Sequence, residues 1–127
     1  MSLSIPTDQE FDQLISRAMD DLPKRDIENL QNVVVTYADE PNGHQKQKLS
    51  LRRDSLLLGL YEGIPLTQRG AGYNLVLPDK ITIFKLPIVQ YCQMTGNDLY
   101  EQVRHTLWHE IAHFYGLNHT EIHRRES

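Results

Sequence analysis

Apolar residues recur at helical spacing near the beginning of the chain. In "TDQEFDQLISRAMDDLP" they fall on one face, formed by Phe11, Leu14, Ile15, Ala18 and Leu22. This period predicts an amphipathic helix. Thr7 and Glu10 have the spacing of a capping box, and Pro23 disfavours continuation of the helix. A short helical turn is expected to follow at "RDIENL".

A second helical pattern begins near "TGNDLYEQ" and continues to about Tyr115 without a helix-breaking residue. Thr95 with Asp98, or Asn97 alone, could cap its beginning. Gly116 would end it, because glycine readily adopts the left-handed conformation found just past helix ends. The expected core stripe of this helix is Leu99, Val103, Leu107, Ile111 and Phe114.

Shorter apolar runs lie between these helices. "NVVVTYAD" is β-branched and predicts a strand, and "YNLVL" and "ITIFK" predict a hairpin or two successive strands around "PDK". We expect "SLLLGLYEGIP" to form a short helix ending at Gly59 or Gly63, and "LPIVQYCQM" to form another that Pro87 begins. "PNGHQ" and "TQRGAG" are expected to be a turn and a loop.

Composition narrows the class of protein. With 127 residues the chain is expected to form one domain over residues 1–127. The net charge of −4 gives little attraction for nucleic acid, and no apolar run is long enough to cross a bilayer. Cys92 is the only cysteine and the first residues do not resemble a secretion signal, so the expected location is the cytoplasm.

Four of the six histidines lie in "HTLWHEIAHFYGLNH", residues 105–119. On a helix, His109 and His113 are about 40° apart around the axis and about 6 Å apart along it, so both can reach one ion. A turn at Gly116 would return His119 as a third ligand of a tetrahedral zinc site with one open position. Glu110 would lie beside that site as the general base for an activated water.

A bare HExxH pattern is only a hypothesis, and these residues could instead be ordinary polar groups on a helix surface. Here the pattern lies on a well-supported helix with a glycine and a third histidine at zincin spacing. His105 is about 12 Å along the axis from His113 and cannot share an ion with both other histidines. We expect His105 to face solvent or to contact a ligand from outside the coordination sphere.

The chain resembles the minimal zincins, small and mostly bacterial proteins regarded as zinc metallopeptidases. The resemblance lies in "NVVVTYADEP", "LLGLYEGIPLTQR", "VLPDKITIFKLPI" and "VRHTLWHEIAHFYGLNH". It implies an α+β fold, with a small mostly antiparallel or mixed sheet, an N-terminal helix and a C-terminal HExxH helix. It also implies one zinc ion held by His109 and His113, with Glu110 as the base.

Two departures qualify this resemblance. Many members have aspartate where this sequence has His119, which is also a good zinc ligand. Metzincins share the histidine pattern but have a methionine turn after the third histidine. Only eight residues follow His119 and none is methionine, so an ordinary metzincin is not expected.

Three functions remain open from the sequence. A zinc peptidase would cleave an extended peptide or protein substrate, with "ITIF" as the expected edge strand and Tyr73 or Tyr115 as candidate oxyanion stabilisers. A zinc-binding regulatory protein without turnover is the second. A metal-dependent endoribonuclease is the third, but such enzymes lack a glutamate at the position of Glu110. "LTQRGAG" could be a flap over the site, although a surface loop is the simpler interpretation.

Overall fold

The computed structural model describes residues 4–48, 56–70 and 77–117. In chain order the elements of these residues are α1 (Asp8–Asp21), α2 (Lys24–Ile27), β1 (Val33–Ala38), α3 (Gly43–Lys48), β2 (Gly59–Glu62), a 3₁₀ turn (Leu66–Gln68), β3 (Asp79–Phe84), α4 (Lys85–Thr95) and α5 (Leu99–Phe114). This is an α+β fold, as expected, with five helices and three strands in the described part of the chain. In the same residues, no helix is both long and apolar enough to cross a membrane.

The strands of the described residues form one mixed sheet in the order β1-β3-β2. β1 is parallel to β3, with Val33 opposite Asp79, and β2 is antiparallel to β3, with Gly59 opposite Ile83. The prediction that "ITIF" is an edge strand is therefore wrong. β3 is central because its alternate residues hydrogen-bond to β1 on one side and to β2 on the other.

The predicted helix in "SLLLGLYEGIP" is also wrong over its described part, because Gly59–Glu62 forms β2. Four residues with a glycine have little intrinsic helical preference, and pairing with β3 decides their conformation. Of "YNLVL", residues 73–76 lie outside the described residues. "ITIFK" does contribute to β3, as predicted.

The remaining helices agree with the pattern more closely. α1 has the predicted capping box, in which Thr7 and Glu10 bond each other's backbone N–H groups at 2.9 and 3.1 Å. α4 begins at Lys85, two residues before Pro87. The turn expected at "PNGHQ" is wrong for its last three residues, because α3 begins at Gly43. Asn42, just before the helix, and Gln45 bond each other's backbone N–H groups.

The core lies between the sheet and the faces of α1 and α5 that pack together. Its fully buried side chains include Phe11, Ile81, Ile83, Val103 and Leu107. Burial of each such side chain contributes about 1.5–3 kcal/mol relative to exposure. Because α5 lies against both β2 and β3, this core fixes the helix that carries the histidines next to one edge of the sheet.

Candidate metal centre

Both ends of α5 are defined by specific hydrogen bonds. Asp98 caps the beginning, where its carboxylate accepts from the N–H of Glu101 at 3.0 Å. The cap is thus Asp98 itself, and neither of the two predicted caps, Thr95 paired with Asp98 or Asn97 alone, is correct. At the other end Gly116 has φ +80°, and the N–H of Leu117 donates to the carbonyl of Ala112. This is the geometry of a Schellman motif, so the chain turns where Gly116 was predicted to turn it.

His109 and His113 lie on the same side of α5. Their ring centroids are 4.9 Å apart and the ring planes are inclined by 74°. Both side chains are half-buried, and their ligand atoms lie with a carboxylate oxygen of Glu110 inside a group no more than 4.8 Å across. Two nitrogens bound to one tetrahedral zinc ion are about 3.3 Å apart. The ligand atoms of this group are therefore close enough together to hold a metal ion.

Glu110 is buried between α5 and β2, with 7% of its surface exposed. The backbone N–H of Tyr61 donates to its Oε1 at 2.9 Å. Burial raises the pKa of Glu110 to about 7, and the hydrogen bond from Tyr61 opposes that rise. A cation held by the adjacent histidines would favour the carboxylate form, because an opposite charge stabilises it.

Gly59 allows β2 to approach α5 closely. A Cβ atom at this position would lie 2.8 Å from Cγ2 of Thr106 and 3.2 Å from Cγ of Glu110. Such separations are too short for carbon atoms in ordinary contact. The missing side chain is therefore what brings the N–H of Tyr61 within reach of the Glu110 carboxylate.

A second group of polar residues connects β2, the segment after it and the first residue of β3. The sequence did not reveal this group. Oδ2 of Asp79 accepts from the hydroxyl of Tyr61 and from Arg69, each at 2.5 Å. We call Tyr61, Arg69 and Asp79 the Asp79 cluster. The side chains of Arg69 and Asp79 are only 6% and 5% exposed. The available signal was an acidic residue, Asp79, two positions before the apolar run "ITIF".

The other candidates from the sequence are placed as follows. His119 and Tyr73 lie outside the described residues. His105 is exposed on α5. The hydroxyl of Tyr115 donates to the carbonyl of Asp26 at 2.7 Å. Its hydroxyl therefore ties α5 to the segment after α1, which favours a structural role over an oxyanion contact. Of "LTQRGAG", only residues 66–70 are described, and Leu66–Gln68 forms the 3₁₀ turn.

A cleft of about 1550 Å³ runs beside α5. His109 and Glu110 line it together with Leu58 and Gly59, the residues that lead into and begin β2. Trp108 adds an aromatic surface to the same cleft. His109 and Glu110 are therefore reached through a space large enough for a short stretch of peptide.

A comparison with curated proteins finds no match to this chain. A family model described as zincin-like metallopeptidase matches residues 30–127. The match includes all three strands of the sheet and the whole of α5. Zinc is the metal typical of this family. Since the matched region covers most of the sequence, the chain belongs to the zincin-like metallopeptidase family.

Proposed function

We propose that this protein is a zinc-dependent peptidase in which His109, His113 and His119 hold one zinc ion and Glu110 is the general base. The observation that carries the proposal is the gathering of two imidazoles and a buried carboxylate within 4.8 Å, on the helix of a zincin-like chain. Imidazole nitrogen is a preferred ligand of zinc, and neighbouring carboxylates serve as bases in such sites.

His119 enters the proposal through the end of α5. The Schellman motif at Gly116 reverses the direction of the chain directly after the helix. His119 is three residues beyond Gly116 and two beyond the last described residue. A chain that turns at this point can bring a side chain back toward His109 and His113, which supports a third histidine ligand.

Each side chain has a defined task in this proposal. Zinc bound here would act as a Lewis acid that polarises the peptide carbonyl and lowers the pKa of the attacking water. Oε1 of Glu110 is engaged by the N–H of Tyr61, so its other oxygen, Oε2, takes the proton from that water. Glu110 then delivers the proton to the nitrogen of the leaving amine.

The substrate in this proposal is an extended peptide or a protein segment beside β2, and no nucleic acid or membrane is involved. The N–H of Phe84 donates to the carbonyl of Leu58, so Leu58 directs its backbone groups toward β3. Because bonded residues alternate, Gly59 and Tyr61 direct their backbone groups away from β3. Leu58 and Gly59 line the cleft with Glu110, so an added strand there would lie next to the base.

The test combines metal content with hydrolysis. We expect the purified protein to hold one zinc ion per chain, and the variant His119→Ala to bind zinc more weakly. Glu110→Gln should keep the zinc and lose cleavage of unstructured peptides by about a hundredfold or more, because it removes the base without removing a ligand.

The control substrate is unstructured RNA. Stoichiometric zinc with no cleavage of peptides or RNA would overturn the peptidase and favour a zinc-binding protein without turnover. Cleavage of RNA that survives Glu110→Gln would overturn it in favour of a nuclease.

A further inference from the structure

The Asp79 cluster meets the candidate metal centre at a single residue, Tyr61. At one end of Tyr61 the hydroxyl donates to Oδ2 of Asp79 at 2.5 Å. At the other end the backbone N–H donates to Oε1 of Glu110 at 2.9 Å. The ring between them packs edge-on against Phe114 of α5, with centroids 6.1 Å apart. Tyr61 therefore connects the buried carboxylate of Asp79 to the carboxylate of Glu110 through one rigid side chain.

Arg69 extends the cluster toward the end of α5. Its guanidinium binds Asp79 and lies 5.0 Å from the centroid of the Phe114 ring. Its Nε donates to the carbonyl of Ile64 at 2.9 Å, which holds the segment after β2 in place. Thr67 in that segment lies so close to Gly116 that a Cβ on the glycine would overlap its side chain. Arg69 thus fixes the chain that packs against the turn at Gly116.

Stability alone does not require this arrangement. A buried ion pair is often no more stabilising than apolar residues of the same volume, because both charges lose their hydration. Such a pair does require particular directions for its hydrogen bonds. In the Asp79 cluster, the groups held in those directions are the strand that bonds Glu110 and the segment against Gly116.

From this geometry we infer that the Asp79 cluster is a positioning device for the candidate metal centre. Asp79 acts through Tyr61 to hold the N–H that orients Glu110, and through Arg69 to hold the segment against which α5 ends. The side chains of Tyr61, Arg69 and Asp79 thus act by positioning other groups, and they themselves bind neither the metal nor the substrate. The inference rests on the proposed role of Glu110 as the base.

The test uses Tyr61→Phe, which removes one hydroxyl and keeps the aromatic ring and the backbone N–H. Its matched control is Tyr100→Phe, because the hydroxyl of Tyr100 also donates to an aspartate, Asp21, and neither of these residues lines the cleft. We expect Tyr61→Phe to lower kcat for peptide hydrolysis about tenfold and to change KM less than twofold, with zinc content unchanged. Tyr100→Phe should leave kcat and KM as they are.

Amide hydrogen exchange of the zinc-free protein provides a readout that needs no activity. In Tyr61→Phe, the exchange protection of the residue 61 amide should fall about tenfold more than that of Ile83 in the central strand, whose protection follows the global stability. Equal loss of protection at residue 61 and at Ile83 would overturn the inference, since it would show general destabilisation. Unchanged protection at residue 61 would also overturn it.

The two proposals fail differently. If the wild-type protein hydrolyses no peptide, the proposed function fails, and exchange at residue 61 still decides whether the Asp79 cluster holds the strand at Glu110. If the wild-type protein is active and Tyr61→Phe matches it in kcat and in exchange, only the positioning role is lost.

Discussion

Two clusters of tyrosine, aspartate and arginine lie at opposite ends of α5. In the Asp79 cluster, Tyr61 and Arg69 both bind Oδ2 of Asp79 near the end of the helix. Near its beginning, the hydroxyl of Tyr100 donates to Oδ2 of Asp21, and Nε of Arg17 lies 3.7 Å from the same oxygen. The two clusters therefore share their residue types, and in each of them one carboxylate oxygen accepts from a tyrosine hydroxyl and pairs with an arginine.

They differ in their exposure to water. The side chains of Arg17 and Asp21 are 63% and 49% exposed, against 6% and 5% for Arg69 and Asp79. Water can replace any lost partner of Asp21, but it has little access to Asp79. The same three residue types are thus an ordinary surface contact in one place and a constraint on the fold in the other.

The largest expected difference between the clusters concerns the loss of the carboxylate. Asp79→Ala removes the carboxylate that binds the buried guanidinium of Arg69 and should lower the free energy of unfolding by about 3–5 kcal/mol. Asp21→Ala should lower it by less than about 1 kcal/mol, because Arg17 remains hydrated. Urea denaturation of both variants measures this, and equal losses would show that burial does not separate the two clusters.

Like Asp79, Glu110 is a buried carboxylate, but it accepts from a backbone N–H where Asp79 accepts from a guanidinium. The pKa of Glu110 is raised to about 7 in the folded protein, above its ordinary 4.5. In zinc-free protein, Glu110 therefore supports folding below pH 4.5, and this support is lost as pH rises to about 7. Glu110→Gln should be more stable than wild type above pH 7, by an upper limit of about 3 kcal/mol.

The measurement is urea denaturation of both proteins from pH 5 to 8 in the presence of a chelator. The nearby histidines are present in both proteins, so the difference in free energy of unfolding between wild type and Glu110→Gln reports the titration of Glu110 alone. A difference that stays constant with pH would contradict the expected titration.

Loss of the tyrosine hydroxyl should give a smaller difference in stability between the two clusters. Tyr61→Phe removes one of two strong donors to a buried carboxylate and should lower the free energy of unfolding by about 1–3 kcal/mol. Tyr100→Phe should lower it by about 0.5 kcal/mol, since water can bind Asp21 instead. Thermal unfolding of the two variants, recorded side by side, tests the order. A larger loss of stability in Tyr100→Phe than in Tyr61→Phe would contradict this order.

The smallest expected difference between the clusters is the effect of salt on the coupling energy of each arginine–aspartate pair. The coupling between Arg17 and Asp21, measured by a double-mutant cycle, should be below about 1 kcal/mol and should vanish near 1 M salt. The coupling between Arg69 and Asp79 should change little, because ions do not enter the space between them. A strong salt dependence of the Arg69–Asp79 coupling would indicate that this pair is accessible to solvent.

The parts of the structure that follow from local rules were predictable from the sequence. The period of α5, the left-handed turn at Gly116 and the capping box of Thr7 each depend on residues within one or two turns of helix. The placement of His109 and His113 on one side of α5 follows from the same helical geometry.

The parts that depend on distant residues were not predictable. Gly59–Glu62 forms a strand because β3, about 20 residues later, pairs with it, so its own composition misled the prediction. The central position of β3 depends likewise on β1 and β2 together. Tyr61, Arg69 and Asp79 are separated by 8 and 10 residues, at spacings that match no motif, and only the folded chain brings them together.

The hydrogen bond from Tyr61 to Glu110 has a consequence for how a peptide would enter the cleft. The strand that would receive the peptide backbone is the same strand whose amide orients the carboxylate. Under the proposed function, a poorly fitting peptide that displaced β2 would turn the Glu110 carboxylate away, whereas a well-fitting peptide would leave it aligned. Selection among substrates could then take place during proton transfer as well as during binding.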